Sequence, residues 1–97
     1  MNRQRVLSLL GDRREDILLR FGVKALSLFG SAARDEMRSG SDVDILVEFE
    51  EAATFDRYMD LKAYLEKILG TSVDLLTKDA VKPRMRPIIE KDMVRVA

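Results

Sequence analysis

Two aspartates one residue apart, Asp42 and Asp44, interrupt an otherwise apolar stretch, DVDILVEF, at residues 42–49. Alternation along a strand places both carboxylates on one face, with Cα atoms about 6–7 Å apart. Two ionised carboxylates at that distance repel each other, and the repulsion grows as the surroundings become less polar. A divalent cation would relieve it, and Mg²⁺ prefers oxygen ligands. The alternative is a pair on a half-exposed strand that simply faces solvent.

A third carboxylate, Asp74, lies in a short β-branched stretch, TSVDLLT, that predicts a strand over 71–77. It would join the other two only if this strand lies beside the first and Asp74 shares its face. The 97 residues contain no histidine and no cysteine. Imidazole and thiolate ligands, histidine bases and disulfides are therefore excluded. Any catalysis must use carboxylates, hydroxyls, Lys or Arg, and metal ions held by oxygen.

A Gly-Ser pair follows the predicted strand KALSLF at 24–29. Gly30 permits a tight turn, and the segment from Ser31 to Arg34 predicts the first turn of a short helix. Backbone N–H groups at such a turn, with the Ser31 hydroxyl, can bind a phosphate. The alternative is an ordinary strand-to-helix turn with Ser31 as its N-cap. Together, the turn and the aspartates predict a triphosphate held between backbone N–H groups and carboxylate-bound Mg²⁺.

The remaining apolar pattern predicts the elements that position these residues. Helical spacing runs from Arg3 to Phe21, is broken at Gly11-Asp12 and ends at Gly22, and an amphipathic helix is predicted over Phe55–Leu69. A further helix is predicted to begin near Pro83, with the last residues extended as an alternative. The sequence thus predicts one small α/β domain over residues 1–97, a short mixed sheet of about three strands flanked by helices.

Charge and hydropathy narrow the class of protein further. Net charge is zero, but residues 35–74 carry four Lys or Arg against eleven Asp or Glu. An acidic centre between basic ends favours a cation site with phosphate-binding groups over a duplex-binding surface, although uneven solvated charge is the simpler alternative. No stretch approaches the roughly 20 apolar residues of a membrane span. The N-terminus also lacks the apolar core of a signal peptide, so we expect a cytoplasmic protein.

The two motifs together resemble the signature of the minimal nucleotidyltransferases of the DNA polymerase β superfamily. That signature is G-S-x-A-R-G, five residues, then S-D-x-D. This sequence has GSAARD at residues 30–35, five residues, and SDVD at residues 41–44. Asp35 departs from the pattern, which usually has glycine there. Aspartate tolerates left-handed conformations, so the fold should survive, while its charge near a phosphate site would oppose nucleotide binding.

The resemblance implies transfer of a nucleoside monophosphate from a nucleoside triphosphate, such as ATP, to an acceptor hydroxyl. Asp42 and Asp44 would then bind two Mg²⁺ ions. Asp74 would be a ligand of the catalytic ion and the group nearest the acceptor hydroxyl. The metal ions would activate the attacking oxygen and neutralise the leaving pyrophosphate.

The same resemblance assigns the phosphate contacts. Gly30 and Ser31 would hold the β- and γ-phosphates. Arg34 would reach the same phosphates or pair with a neighbouring acid, Asp35 or Glu36. Ser41 would hydrogen-bond a ligand or merely end the loop.

Within this family, a stand-alone protein of this size resembles the antitoxins of toxin–antitoxin pairs in which the toxin is a HEPN ribonuclease. The resemblance implies a hetero-oligomer in which the antitoxin adds AMP to a toxin tyrosine, masks the toxin, or does both. The main alternative is a non-catalytic antitoxin that sequesters its partner by contact alone. Transfer onto a small molecule is a third hypothesis, and it fits less well because enzymes of that kind rely on further segments.

Overall fold

The chain folds into five helices and four strands, and a computed structural model describes all 97 residues. In chain order the elements are α1 (Arg3–Gly11), α2 (Arg14–Arg20), β1 (Val23–Leu28), α3 (Gly30–Ala33), β2 (Val43–Phe49), α4 (Phe55–Leu69), β3 (Val73–Thr77), α5 (Arg86–Asp92) and β4 (Val94–Arg95). One turn of 3₁₀-helix, Lys78–Ala80, follows β3. The predicted α/β class and mixed sheet are confirmed.

The four strands form one sheet in the order β3-β2-β1-β4. Strand β1 is antiparallel to both β2 and β4, whereas β2 and β3 are parallel and joined through α4. The end of β1 therefore lies at the same edge of the sheet as the beginnings of β2 and β3. In the parallel pair, Asp44 is directly opposite Asp74.

Strand β2 separates an apolar face from a face that carries the carboxylates. Val43, Ile45 and Val47 are completely or almost completely buried, while the alternate residues Asp44 and Leu46 are only partly buried. The buried side chains join one hydrophobic cluster with residues from the helices, among them Val6, Leu10, Ile17, Leu61 and Leu65. On the carboxylate face, α5 covers Leu46 only in part and leaves a cavity of about 210 Å³.

The longest helix has the bounds that the sequence predicts. Thr54 caps α4, since its Oγ1 accepts the N–H of Arg57 at 3.1 Å. Gly70 ends the helix in the left-handed conformation, with φ of 68°. Gly22, predicted to end the N-terminal helical segment, is likewise left-handed with φ of 64°.

The C-terminal region differs from the main prediction in two ways. The helix begins at Arg86 rather than near Pro83, and Pro87 lies in its first turn, where a missing N–H leaves no helical bond unmade. The last residues are extended, and they add a fourth strand where about three were predicted, since Val94 pairs with Leu28. A two-residue strand is too short to show a periodic pattern. None of the helices is long and apolar enough to cross a membrane.

Candidate active site

The turn at Gly30 is built against the carboxylate of Asp44. The backbone N–H of Phe29 donates to the backbone oxygen of Asp44 at 3.0 Å, which brings the end of β1 beside the start of β2. Gly30 then turns the chain into α3 with φ of 62°, a conformation that favours glycine. A Cβ at this position would also collide with Oδ2 of Asp44. Glycine is therefore required here for its conformation and for its size.

Ser31 lies inside the first turn of α3 and is not its N-cap. The N-cap position belongs to Phe29, and no side chain caps the helix. The two alanines that follow, Ala32 and Ala33, are buried and attach the short helix to the core. The partly exposed Gly30 and Ser31 thus present the start of α3 beside Asp44.

The three predicted aspartates lie at one edge of the sheet. Asp44 is partly buried on β2 and is paired in register with the exposed Asp74 on β3, while the exposed Asp42 immediately precedes β2. Partial burial raises the pKa of the Asp44 carboxyl, and the negative charges of Asp74 and Asp42 raise it further. The guanidinium of Arg34 lowers it in part. The structure thus brings together like charges that a cation would stabilise.

The side chains of Asp42, Asp44 and Asp74 fit an Mg²⁺ ion whose ligands come partly from the protein and partly from the substrate. No three acidic side chains converge closely enough to form a complete metal cluster. Mg²⁺ does not need one, because it is usually held by one or two carboxylates, with water and substrate phosphates completing the octahedron. The paired Asp44 and Asp74, with Asp42 beside them, provide the hard oxygen donors that such an ion takes.

Arg34 is paired with acids at the surface. Its Nε lies 3.2 Å from Oε2 of Glu36, and its Nη1 lies 3.6 Å from Oδ2 of Asp92 on α5. The hydrogen bond with Glu36 is the main reason that the pKa of Arg34 is raised. Of the two roles that the sequence left open, the structure shows the ion pair. Exposed pairs of this kind are weak, so exchange for a phosphate would cost little.

Ser41 closes a turn in the loop before β2. Its Oγ accepts the backbone N–H of Arg38 at 3.1 Å, and its own N–H donates to the backbone oxygen of Arg38 at 3.0 Å. This arrangement matches the simpler of its two predicted roles, the end of the loop. A ligand contact by Ser41 stays a prediction.

Three residues that support the site were not found from the sequence. Glu66 on α4 accepts the backbone N–H of Val73 at 2.9 Å, and the hydroxyl of Tyr58 donates to the backbone oxygen of Leu75. These bonds hold β3 on both sides of Asp74. The third residue is Asp92, which pairs with Arg34. Each has its partner on another element, and a periodic pattern along one chain carries no signal for such contacts.

The chain also matches a known family over most of its length. Residues 12–96 match the nucleotidyltransferase domain family, and this range includes the Gly30 turn and all three aspartates. The chain is a nucleotidyltransferase. It is 37% identical over 93 residues to protein adenylyltransferase MntA of Thermococcus cleftensis. This alignment covers 96% of this chain and 94% of that relative.

Solved structures agree with this assignment. A structure provisionally named a minimal nucleotidyltransferase superposes with a TM-score of 0.76 at 37% identity, covering 91% of this chain and 93% of the other. The fold also matches the structure of a tri-AMPylated Shewanella oneidensis HEPN toxin with its MNT antitoxin (TM-score 0.68, 17% identity, 94% and 71% covered). A toxin–antitoxin structure with AMP-PNP matches as well, with a TM-score of 0.72 at 20% identity, covering 100% of this chain and 73% of the other. At these lower identities the likeness concerns the fold alone.

Proposed function

We propose that this nucleotidyltransferase moves AMP from ATP to a hydroxyl of a partner protein, and that it acts as an antitoxin on a HEPN ribonuclease. One observation carries the catalytic part of this proposal. The glycine turn at the start of α3 touches Asp44, and Asp44 is paired with Asp74. This contact supports a phosphate site and a cation site that adjoin, as nucleotidyl transfer would require.

The residues divide the work by their positions. The backbone N–H groups of Gly30 and Ser31 would bind the β- and γ-phosphate oxygens, and Arg34 would add a contact after leaving its surface acids. Asp42, Asp44 and Asp74 would hold Mg²⁺, which neutralises phosphate charge and lowers the pKa of an oxygen that it binds.

The reaction breaks one bond and forms another at the α-phosphorus. The acceptor oxygen attacks this phosphorus, and the bond to pyrophosphate breaks in line with the attack. The acceptor hydroxyl loses its proton in the same step. Asp74 is the exposed member of the Asp44–Asp74 pair, and in this proposal its carboxylate would receive this proton from an incoming hydroxyl.

The assignment of a protein acceptor rests on the relatives. The Thermococcus relative is named a protein adenylyltransferase, and it matches this chain over nearly its whole length. The structure with the tri-AMPylated HEPN toxin has the same fold and joins a nucleotidyltransferase to its modified partner. The first supports a protein as the acceptor for this chain, and the second supports a HEPN toxin as that protein.

The test uses α-labelled ATP, Mg²⁺ and a HEPN protein from the same organism, co-expressed with this chain. Wild type, Asp44→Asn and Asp60→Asn are compared on a denaturing gel, Asp60 being an exposed acid of α4. We expect a labelled HEPN band with wild type and Asp60→Asn but none with Asp44→Asn. If the HEPN protein co-purifies with all three and is labelled by none, the protein is a sequestering antitoxin and the catalytic proposal is wrong. Label on a small molecule alone would exclude the protein acceptor.

A further inference from the structure

Asp35 occupies a conformation that aspartate seldom adopts. It follows α3 with φ of 60° and is the one residue other than glycine with a positive φ. Its N–H donates to the oxygen of Ala32 at 3.3 Å, and the N–H of Glu36 donates to the oxygen of Ser31 at 2.9 Å. These two bonds are those of a Schellman motif, in which the left-handed position is usually glycine. The backbone oxygen of Ser31 is thus bound by a turn that forms only while Asp35 keeps its left-handed conformation.

The side chain of Asp35 is bound by the first turn of a distant helix. Its Oδ1 accepts the backbone N–H of Arg3, the first residue of α1, at 2.8 Å. The Nη1 of Arg3 in turn donates to the backbone oxygen of Ala33 at 3.1 Å. Two hydrogen bonds therefore join the beginning of α1 to the end of α3.

The charge of Asp35 suits this contact. The N-terminus of a helix carries partial positive charge on N–H groups that lack helical partners. The first turn of α1 contains no acidic residue of its own, and its N-cap, Asn2, binds the N–H of Arg5. Asp35 supplies the missing negative charge from another part of the chain, so its carboxylate is engaged by α1.

We propose that Asp35 is a positioning residue for nucleotide binding, which it serves by anchoring the α3 turn to the N-terminus of α1. This inference rests on the proposed function for the role of Gly30 and Ser31 as phosphate ligands. The anchor keeps the left-handed conformation at residue 35, and through the Glu36–Ser31 bond it holds the N–H groups of the turn ready for phosphate. Glycine at this position would keep the conformation but would lose the anchor.

Four single variants separate the anchor from the turn. Asp35→Gly removes the carboxylate and leaves a residue that adopts φ of 60° freely. Asp35→Asn keeps an acceptor oxygen and tolerates the same conformation. Arg3→Pro removes the N–H donor at the first helical position, where proline is well accepted, and Asn2 before it is already extended (φ −116°, ψ 172°). Arg3→Ala keeps that N–H and loses only the guanidinium.

Calorimetric binding of AMP-PNP with Mg²⁺ gives the first readout. We expect Asp35→Gly and Arg3→Pro each to raise Kd about three- to tenfold, and Asp35→Asn and Arg3→Ala to raise it less. The double variant Asp35→Gly/Arg3→Pro should have a Kd no higher than that of the more weakly binding single variant. Both substitutions remove the same hydrogen bond, from the Arg3 N–H to Oδ1 of Asp35. In transfer assays KM for ATP should rise with little change in kcat. Asp35→Gly that binds as tightly as wild type would overturn the inference.

Amide hydrogen exchange keeps this result distinct from a failure of the proposed function. If wild type binds no AMP-PNP, the nucleotide role of the turn is wrong whatever Asp35 does. The anchor itself is then read from the Glu36 amide, which donates to Ser31. Faster exchange at Glu36 in both Asp35→Gly and Arg3→Pro than in Asp35→Asn supports the anchor, and equal rates in all four variants exclude it.

Discussion

Gly30 packs directly against the carboxylate of Asp44, so the turn predicted to bind phosphate and the acids predicted to bind metal share one contact. A Cβ at residue 30 would lie 3.1 Å from Cγ of Asp44 and closer still to Oδ2. The two halves of the sequence motif are therefore interdependent. Nothing larger than glycine fits without displacing the carboxylate.

Gly30→Ala should remove most of the transfer activity. The added methyl group must push Asp44 aside, and a displacement of about 1 Å at a reacting centre costs on the order of 100-fold in rate. The positive φ adds a destabilisation of about 1–2 kcal/mol. Steady-state transfer and thermal unfolding measure the two effects.

Gly40→Ala is the matched control for Gly30→Ala. Gly40 has φ of 83° in the loop before β2, and a Cβ there would meet nothing within 4 Å. This variant should share the conformational destabilisation but keep wild-type transfer per folded molecule. Equal loss of activity in both variants would show that backbone strain, rather than contact with Asp44, explains the effect.

Asp44→Asn should stabilise the metal-free protein at neutral pH. The pKa of Asp44 is raised in the folded state, mainly by partial burial and then by Asp74 and Asp42. The folded state therefore binds the proton more tightly than the unfolded state, and ionisation of Asp44 lowers the free energy of unfolding as the pH rises above the ordinary value of 3.8. Asparagine carries no such penalty.

Thermal unfolding in EDTA across pH 3 to 8 checks this sign. The gain in melting temperature of Asp44→Asn over wild type should be greatest at neutral pH, should shrink as the pH falls through the raised pKa of Asp44, and should be gone below the ordinary value of 3.8. A variant less stable than wild type at pH 7 would mean that the Asp44 carboxylate is stabilised by its neighbours rather than repelled by them.

Mg²⁺ should stabilise wild type and leave Asp44→Asn unchanged. A ligand at ten times its Kd adds about 1.4 kcal/mol to the free energy of unfolding, which in a domain of this size is several degrees of melting temperature. Asp60→Asn is the control, and it should respond as wild type does. An equal response in Asp44→Asn would place the ion elsewhere.

Local chemistry made part of this site predictable. Gly30, Asp42 and Asp44 were identified because a turn residue and alternating carboxylates have meaning within a few residues of one another. The pairing of Asp44 with Asp74 needed the register of β2 and β3, which no single strand specifies. The contact between Arg34 and Asp92 depends on the packing of α5 beside α3, and no local pattern encodes that packing.

Asp35 is a second case in which a contact between distant parts of the chain could not be predicted from the local sequence. Its position in the motif suggested a negative charge that opposes phosphate, because only its sequence neighbours were visible. In the structure its carboxylate accepts the N–H of Arg3, 32 residues away. The conformation at Asp35 was foreseeable from the motif, but its hydrogen-bond partner was not.

Glu66→Ala should weaken the strand that carries Asp74. The carboxylate of Glu66 accepts the N–H of Val73, a buried residue next to Asp74. A buried donor left without a partner costs about 1–3 kcal/mol, so the melting temperature should fall by several degrees. Transfer activity should also fall, because Asp74 loses its fixed position.

Glu66→Gln isolates that hydrogen bond. Both variants lose the 3.8 Å ion pair with Lys62, but glutamine keeps an acceptor oxygen for Val73. The glutamine variant should therefore keep most of the stability and activity that the alanine variant loses, as measured by thermal unfolding and by labelled transfer to the HEPN partner. If the two variants have the same melting temperature, the ion pair rather than the bond to Val73 stabilises this end of β3. The position of Asp74 then does not depend on the hydrogen bond from Val73 to Glu66.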